Sequence, residues 1–214
     1  MATLLAGLPM EVPAQTINRL CASGLSAAID AARAIQTGDA ELMLAGGVEN
    51  MTRAPWVISK TSSAFGRDAQ MFDSSFGWRF INPLMQQMYG TDAMGETAEN
   101  LADRDKISRE DQDAFAYRSQ QKALLAQENG YLAQEIHAVE IPQKRGEALL
   151  FQQDEFMKPS TTKEGLAKLR PSFRKDGTVT AGNASGLNDG AAALLLASES
   201  AVKTYNLLPL ARIV

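Results

Sequence analysis

The sequence predicts an α/β protein in which a core is interrupted by a mainly helical insertion. Residues 15–47 follow a strand, helix and strand pattern, residues 52–176 are richer in charged, aromatic and turn-forming residues, and small apolar residues return after Phe173. Such a change and return of composition is typical of a domain inserted into another. We therefore expect a core formed by residues 1–51 and 177–214, with the inserted domain between them.

The first part of the predicted core has the pattern of a βαβ unit. Residues 15–20 form a short extended segment, the helix runs from Ala22 to a C-terminal cap at Gly38, and residues 41–45 form a strand that ends at Gly46–Gly47. The predicted apolar face of the helix comprises Leu25, Ala28, Ile29, Ala32 and Ile35. Because strands joined by a crossover helix lie side by side in the same direction, we expect parallel pairing within a mixed sheet.

Further elements are predicted in the insertion and near the end of the chain. The strongest helix signal covers residues 108–129, where Ser108 and Asp111 have capping-box spacing and Gly130 ends the pattern. A shorter helix is predicted over residues 96–104. The run AAALLLAS then indicates a buried element, and a helical pattern, SESAVKTYN, follows it.

Composition excludes several classes of function. The 214 residues include 21 Lys and Arg against 25 Asp and Glu, and no basic run indicates a nucleic-acid partner. No apolar stretch reaches the roughly 18 residues that a membrane span requires. The first residues lack the basic region of a signal peptide, so we expect a cytoplasmic protein. One cysteine and one histidine exclude a disulfide framework and a Cys/His zinc site within this chain, and we predict no metal.

Cys21 is the first candidate for chemistry. It lies where the predicted strand meets the helix, facing free backbone N–H groups and the positive end of the helix dipole, and both favour the thiolate. A buried, inert thiol is the alternative. The sole histidine, His137, lies in a segment of alternating polar and apolar residues, 136–141, and we interpret it as an exposed strand residue.

A glycine-rich stretch over residues 180–190 suggests a phosphate-binding loop at first sight. It lacks the Gly-Lys-Ser/Thr ending of a Walker loop, and it does not place a G-x-G-x-x-G pattern after a strand. A turn-rich connector that leads into a buried element is the alternative.

Three segments together closely resemble the thiolases, the acyl-CoA acetyltransferases. They are NRLCASGLSAAIDAARAIQTGDAELMLAGGVENMTRAPW, MGETAENLA with the following SREDQDAFAYRSQQKA, and KLRPSF followed by DGTVTAGNASGLNDGAAALLLASE. They cover almost the whole chain in family order. The resemblance implies a partial thiolase fold and an acyltransferase that uses coenzyme A (CoA) and acyl-CoA as substrates, without a permanently bound cofactor. It also implies a homodimer or homotetramer when the protein is complete.

The resemblance assigns roles to four residues. The family's nucleophile falls on Cys21, whose thiolate would accept an acyl group from acyl-CoA and pass it to a CoA thiol or a carbanion, while its backbone N–H would serve the oxyanion. The insertion would be the loop domain that covers CoA. Met94 and Ser185 would contact the pantetheine, and Lys158 would lie near the CoA phosphates. Core packing, a turn-bound hydroxyl and a solvated surface lysine are the respective alternatives.

The sequence departs from the family pattern because it lacks the motifs of the family's second catalytic half. The family's N-E-A-F, G-H-P and C-x-G-G-G-x-G motifs do not occur in this sequence, and His137 does not match the family's catalytic histidine. We therefore expect an internal fragment that is inactive by itself. A non-catalytic CoA-binding module is one alternative for this chain, and a β-ketoacyl synthase is another, although that family's nucleophile segment is richer in serine.

The acyl-chain specificity is predicted from residues 76–100. This segment resembles thiolases that act on 3-oxoadipyl-CoA more than acetoacetyl-CoA enzymes, many of which have histidine at the position of Ala93. A missing imidazole would leave room for a longer acyl chain. Arg79 is a candidate for binding a distal carboxylate, with a surface ion pair as its alternative. An acetoacetyl-CoA-type thiolase remains the alternative.

Overall fold

The computed structural model describes all 214 residues as seven α-helices, six strands and one short 3₁₀ turn. The helices are α1 (Ala2–Leu5), α2 (Ser23–Gln36), α3 (Pro83–Tyr89), α4 (Met94–Asp105), α5 (Arg109–Glu128), α6 (Lys163–Ala167) and α7 (Glu199–Thr204). The strands are β1 (Leu42–Glu49), β2 (Trp56–Ile58), β3 (Met71–Asp73), β4 (Val139–Ile141), β5 (Leu149–Phe151) and β6 (Gly190–Ala197). No helix combines the length and the apolar character needed to cross a bilayer.

The chain divides into two compact units. The core unit comprises Met1–Thr52 and Asn188–Val214, and the inserted unit comprises Arg53–Leu187. The insertion predicted from the sequence ends earlier, at Asp176. In the structure, the residues that follow Asp176 bind side chains of the inserted unit. The proposed role of this unit as a cover for CoA stays a prediction.

The core unit is a two-stranded antiparallel ribbon with a helix packed against it. Strand β1 pairs with β6 in a continuous register from Leu42 opposite Ala197 to Glu49 opposite Gly190. Helix α2 packs on this ribbon through small side chains. Its contact with the strands centres on Ala31, Ala45 and Leu196, surrounded by Ala27, Ala28, Ala32, Ile35 and Met43. Small residues on both elements let the helix approach the strands closely.

The predicted first strand and its parallel pairing are wrong. Residues 15–18 have no regular secondary structure, and β1 has no partner except the antiparallel β6. The reason is local, because side chains occupy the amides that a strand ladder would use. The amide of Leu20 donates to Asn18 Oδ1 at 2.9 Å, and the amide of Arg19 donates to Ser23 Oγ at 2.8 Å. Such bonds compete with sheet formation.

Helix α2 is confirmed, but its buried face is rotated from the predicted one. Leu25 is 68% exposed and Ile29 is 37% exposed, although both belong to the predicted apolar face. The buried position is Ala31, which the periodicity did not select. Ile35 and two alanines of the predicted face still pack on the ribbon, whereas Leu25 and Ile29 are left outside. The predicted cap is present, since Gly38 follows the helix with a φ of +79°.

Strand β1 continues through the two glycines at which it was expected to end. Gly46 lies opposite Ala193 and Gly47 lies opposite Ala192, so both belong to the ladder. A Cβ atom on Gly46 would lie 2.7 Å from the carbonyl oxygen of Ala192, whereas a Cβ on Gly47 would meet no atom within 4 Å. Only the first glycine is required by close packing.

The two points at which the chain leaves and re-enters the core unit are joined by a carboxylate. Asp189 accepts hydrogen bonds from the Thr52 amide at 2.9 Å and from the Thr52 hydroxyl at 2.6 Å. These bonds hold the pKa of Asp189 below its ordinary value. The ends of the inserted segment are therefore tied together beside the last pair of the β1–β6 ladder.

The inserted unit combines helices with two short hairpins, β2–β3 and β4–β5. Helix α5 is confirmed with its predicted cap, because Ser108 Oγ accepts a hydrogen bond from the Asp111 amide at 3.1 Å. Gly130 ends the pattern with a φ of +74°. The shorter predicted helix corresponds to α4. The strand predicted around His137 is shorter than expected, since β4 begins only at Val139.

We predict that the substitution Gly46→Ala destabilises the core unit by about 1 to 3 kcal/mol, the usual cost of forcing extra volume into a packed site. The matched substitution Gly47→Ala, which adds its methyl group to open space, should be neutral or slightly stabilising. Urea unfolding monitored by circular dichroism measures both. Equal midpoints for the two variants would contradict the close packing at Gly46.

Candidate active site

Cys21 is exposed and lies immediately before Ala22, the N-cap residue of α2. No side chain caps the first turn of this helix, so the positive end of its dipole stays open beside the thiol. The residues that follow, Ser23 and Gly24, are small. An exposed thiol at an uncapped helix start has room for a bulky electrophile and a favourable field for negative charge.

The backbone before Cys21 is fixed in an unusual conformation. Leu20 has a φ of +50°, in the left-handed region that residues with a branched side chain rarely adopt. Ser23 stabilises it by a two-way bond, since its hydroxyl accepts from the Arg19 amide and donates to the Leu20 carbonyl at 2.7 Å. The thiol is therefore presented from a rigid turn.

The three predicted CoA contacts lie in the inserted unit. Met94 is the first residue of α4 and its side chain is 71% exposed. Lys158 is exposed in the segment after β5, where its amide donates to Gln120 Oε1 at 3.0 Å. Ser185 is exposed in the irregular segment before β6. None of the three is buried, so all can meet a ligand, and core packing does not account for Met94.

The first part of the glycine-rich stretch, residues 180–183, is a turn with hydrogen bonds of its own. Thr180 is fully buried, its amide donates to Asn183 Oδ1 at 2.7 Å, and its hydroxyl accepts from the Gly182 amide at 3.1 Å. Gly182 is required here, because a Cβ would lie 2.5 Å from side-chain carbons of Leu166 and Leu169. The stretch is thus a packed connector.

Asn183 ties this turn to helix α5. Its Nδ2 donates to Asp113 Oδ1 at 2.9 Å and to the Thr178 carbonyl at 3.1 Å. Asp113 is itself buried and forms an ion pair with Arg109 at 2.8 Å. The same guanidinium donates to the carbonyl of Leu166 at 2.7 Å. Every charged group in this chain of contacts is paired, as a buried position requires.

Glu99, on helix α4, holds the beginning of the same turn. Its side chain is 1% exposed, and its carboxylate accepts from the amides of Thr178 at 2.9 Å and Val179 at 2.8 Å and from the Thr178 hydroxyl at 3.1 Å. Burial by itself would raise the pKa of Glu99, but these hydrogen bonds and the charge of Arg174 together hold it below its ordinary value. A carboxylate of this kind is ionised at neutral pH.

Comparison with known proteins decides the family. A family model described as the thiolase N-terminal domain matches residues 1–200. The chain belongs to the thiolase family. The resemblance found in its sequence is confirmed, and the comparisons favour thiolases over β-ketoacyl synthases.

Several relatives are similar over the whole of this chain. The 3-oxoadipyl-CoA/3-oxo-5,6-dehydrosuberyl-CoA thiolase of Escherichia coli K12 is 58% identical, and a β-ketoadipyl-CoA thiolase of Acinetobacter baylyi is 56% identical, each over 100% of this chain and 53% of the relative. An acetyl-CoA acetyltransferase of Pseudomonas aeruginosa is 50% identical over 99% of this chain and 53% of its own length. The chain therefore spans about half the length of the curated relatives it matches.

Solved structures confirm the partial thiolase fold. Human mitochondrial 3-ketoacyl-CoA thiolase in complex with CoA matches with a TM-score of 0.82 and 41% identity over 96% of this chain and 50% of that one. The acetyl-CoA acetyltransferase of Bacillus anthracis matches with a TM-score of 0.80 and 41% identity over 97% of this chain and 51% of that one.

Two other side chains singled out by the sequence, His137 and Arg79, are exposed in the inserted unit. His137 is exposed in the inserted unit, whereas Cys21 belongs to the core unit. Arg79 is exposed and donates to the carbonyl of Gly77 at 2.9 Å, so its predicted role stays a prediction. A shallow cavity of about 310 Å³ in the inserted unit is lined by four apolar and four polar residues, and none of the four thiolase-derived residues is among them. No cluster of acidic, histidine or cysteine side chains forms a potential metal site.

Sequence reasoning missed the side chains that shape the Ser185 segment. Glu99 lies on the buried face of α4 with Gly95 and Ala102, at spacings of four and three residues. A carboxylate on a helical face otherwise made of small residues indicates a buried charge, and a buried charge requires a partner inside the protein. Its partners lie far along the chain, however, and no local pattern identifies them.

We predict that Glu99 makes the thiolase chain sensitive to acid. Because its pKa is lower in the folded state, its contribution is complete above the unfolded value of about 4.3 and is lost as the pH falls through the folded pKa. Glu99→Gln should lower the thermal midpoint at neutral pH, and its midpoint should converge with that of the wild type in acid. The exposed control Glu128→Gln should follow the wild type throughout. Parallel curves for wild type and Glu99→Gln would contradict this role.

Proposed function

We propose that this chain carries the acyl-accepting half of a CoA-dependent acyltransferase, a thiolase, with Cys21 as the nucleophile. The observation that carries the proposal is the match of the whole chain, at 56 to 58% identity, to proteins named as β-ketoadipyl-CoA thiolases. The exposed thiol at the open start of α2 supports it on physical grounds. In the complete protein the reaction is thiolytic cleavage of a 3-oxoacyl-CoA to acetyl-CoA and a shortened acyl-CoA, or the reverse condensation.

The chemistry assigned to Cys21 is an exchange between thioesters. In the condensation direction the thiolate attacks the carbonyl carbon of an acyl-CoA, the bond from that carbon to the CoA sulfur breaks, and the CoA thiolate leaves and takes a proton from solvent. In the cleavage direction the thiolate attacks the C3 carbonyl of the 3-oxoacyl-CoA, the C2–C3 bond breaks, and C2 takes a proton to give acetyl-CoA. The acyl group then passes from Cys21 to a second acceptor. The Cys21 backbone N–H, at the start of the helix, is the proposed donor to the oxyanion.

The inserted unit supplies the proposed contacts to CoA. Met94 offers a soft, exposed apolar surface to the pantetheine, and Ser185 offers a hydroxyl that no group of this chain engages. Lys158 is assigned to the CoA phosphates because its side chain is exposed and positively charged. A solved relative with a TM-score of 0.82 is in complex with CoA, which supports CoA as the ligand.

The proposed substrate of the complete enzyme is 3-oxoadipyl-CoA. Relatives named for that activity are 56 to 58% identical, against 50% for an acetyl-CoA acetyltransferase. Ala93 precedes Met94 directly at the start of α4, and its methyl group occupies less space than the imidazole of many acetoacetyl-CoA enzymes. A homodimer or homotetramer and a cytoplasmic location remain predictions of the sequence.

Acetylation of Cys21 tests the proposal. We expect intact-mass spectrometry of the chain incubated with acetyl-CoA to show one added acetyl group, and peptide mapping to place it on Cys21. Cys21→Ser should remain unmodified, whereas Ser75→Ala, a surface hydroxyl of the inserted unit, should react as the wild type does. An acetyl group spread over lysines, or equal acetylation of Cys21→Ser, would contradict the assignment.

We predict that the 214-residue chain does not complete a thiolase cycle by itself, even where Cys21 is acylated. Deprotonation of the second substrate needs a base within hydrogen-bond reach, and the family motifs that carry this base do not occur in the sequence. A thiolysis assay on the purified chain measures this. Turnover comparable to that of a full-length relative would contradict the prediction.

We also predict a preference for the acid-terminated, longer acyl chain. The measurement is the ratio of kcat/KM for 3-oxoadipyl-CoA to that for acetoacetyl-CoA in a full-length protein carrying residues 76–100 of this chain. The ratio should exceed one, and Ala93→His should lower it by filling the space beside Met94. A ratio below one would contradict the predicted preference.

A further inference from the structure

Side chains from two helices help to hold residues 178–183 in place. Glu99 on α4 binds the amides of Thr178 and Val179, and Asp113 on α5 binds the side chain of Asn183. The main-chain contacts of the segment are an isolated bridge between Thr180 and Pro171 and a hydrogen bond from the Ser172 amide to the Val179 carbonyl. Because the segment belongs to no helix or strand, the two carboxylates complete the contacts that specify its conformation.

The hydrogen-bond partners of Glu99 are all donors, which suits a carboxylate and not the neutral amide of glutamine. Oε1 accepts from the Thr178 amide at 2.9 Å and the Val179 amide at 2.8 Å, while Oε2 accepts from the Thr178 amide at 2.9 Å and the Thr178 hydroxyl at 3.1 Å. Both oxygens are thus occupied by donors. A glutamine amide in the same place would turn an N–H group toward an N–H or O–H donor.

No spare volume lets the segment move toward the helix. A Cβ on Gly177 would overlap the Glu99 carboxylate, and a Cβ on Gly95 would overlap the Phe173 ring. Val179 is 5% exposed and Thr180 is fully buried. Loss of the carboxylate would leave buried amides without partners, a cost that favours opening of the segment.

This fixed segment leads directly to Ser185, and the helix that fixes it begins with Met94. Ser185 follows Asn183 by two residues, is exposed, and makes no side-chain hydrogen bond within the chain. Met94 lies on the first turn of α4, which carries Glu99 on its second turn. One carboxylate therefore joins the elements that bear two of the proposed CoA contacts.

We propose that Glu99 is a positioning residue for CoA binding, which fixes residues 178–183 on α4 so that the Ser185 hydroxyl is held ready for the pantetheine. This inference rests on the proposed contact between Ser185 and CoA. Glu99 is buried and touches no ligand; it acts through the turn that it orders. Preorganisation of this kind contributes affinity because the ligand does not have to order the turn itself.

A double-mutant cycle with CoA as the probe tests this role. Isothermal titration of the 214-residue chain should show that Glu99→Gln raises the Kd for CoA about tenfold, the effect of a lost charge-assisted hydrogen bond, while the exposed control Glu128→Gln leaves it unchanged. Ser185→Ala should also raise the Kd. Because Glu99 acts through Ser185, Glu99→Gln should add little in the Ser185→Ala background. Amide exchange of residues 178–185 should become faster in Glu99→Gln.

A milder variant tests the same role if Glu99→Gln does not fold. Thr178→Val preserves the shape of the side chain and both amide contacts but removes the hydroxyl, which donates to Glu99 and accepts from Gln112 Nε2. We expect a smaller rise in Kd in the same direction. Wild-type affinity in the foldable variants, or an equal effect of Glu99→Gln with and without Ser185, would overturn the positioning role. Absence of CoA binding by the wild-type chain would instead overturn the proposed function, and the inference with it.

Discussion

A carboxylate removed from water must find donors inside the protein, and the inserted unit is organised around the way Glu99 meets that requirement. Its charge is balanced by two amides and one hydroxyl of residues 178–179, with Arg174 as a nearby cation. Because those donors belong to a segment outside the helices and strands, the carboxylate fixes the path of the segment together with the bridge between Pro171 and Thr180. The glycine at position 177 follows from the same contact, since any side chain there would displace the charge.

The core unit depends on small residues instead of buried charge. Alanines of α2 and the residues of the β1–β6 ribbon allow a close approach that leaves larger side chains outside. At the start of the helix, Leu20 adopts a left-handed conformation that costs about 1 kcal/mol. The hydroxyl of Ser23 offsets this cost through its two bonds to the turn. A rigid, exposed position for Cys21 is the result, and such a position suits a nucleophile that must receive an acyl group from a large thioester.

The elements that the sequence predicted correctly depend on residues close together in the chain. Helices α4 and α5 are marked by periodicity, and the cap at Ser108 is a pattern of four neighbouring residues, so the structure confirms them. The role of Cys21 stays a prediction, which rests on the coincidence of its helix start and its family segment. The antiparallel pairing of β1 was missed because its partner, β6, follows only after the whole inserted unit. Local sequence patterns do not indicate which distant strand pairs with β1. Glu99 and the amides that it binds are also far apart in the chain, at separations of 79 and 80 residues.

The central claim is that a turn ordered by Glu99 presents Ser185 to CoA. A crystal structure of this chain with CoA measures it most directly, through the distance from Ser185 Oγ to the nearest nitrogen or oxygen of the pantetheine. The account predicts a hydrogen bond of about 2.7 to 3.2 Å, with the Glu99 carboxylate still bound to the amides of Thr178 and Val179. A pantetheine arm bound elsewhere, with Ser185 facing only solvent, would contradict it.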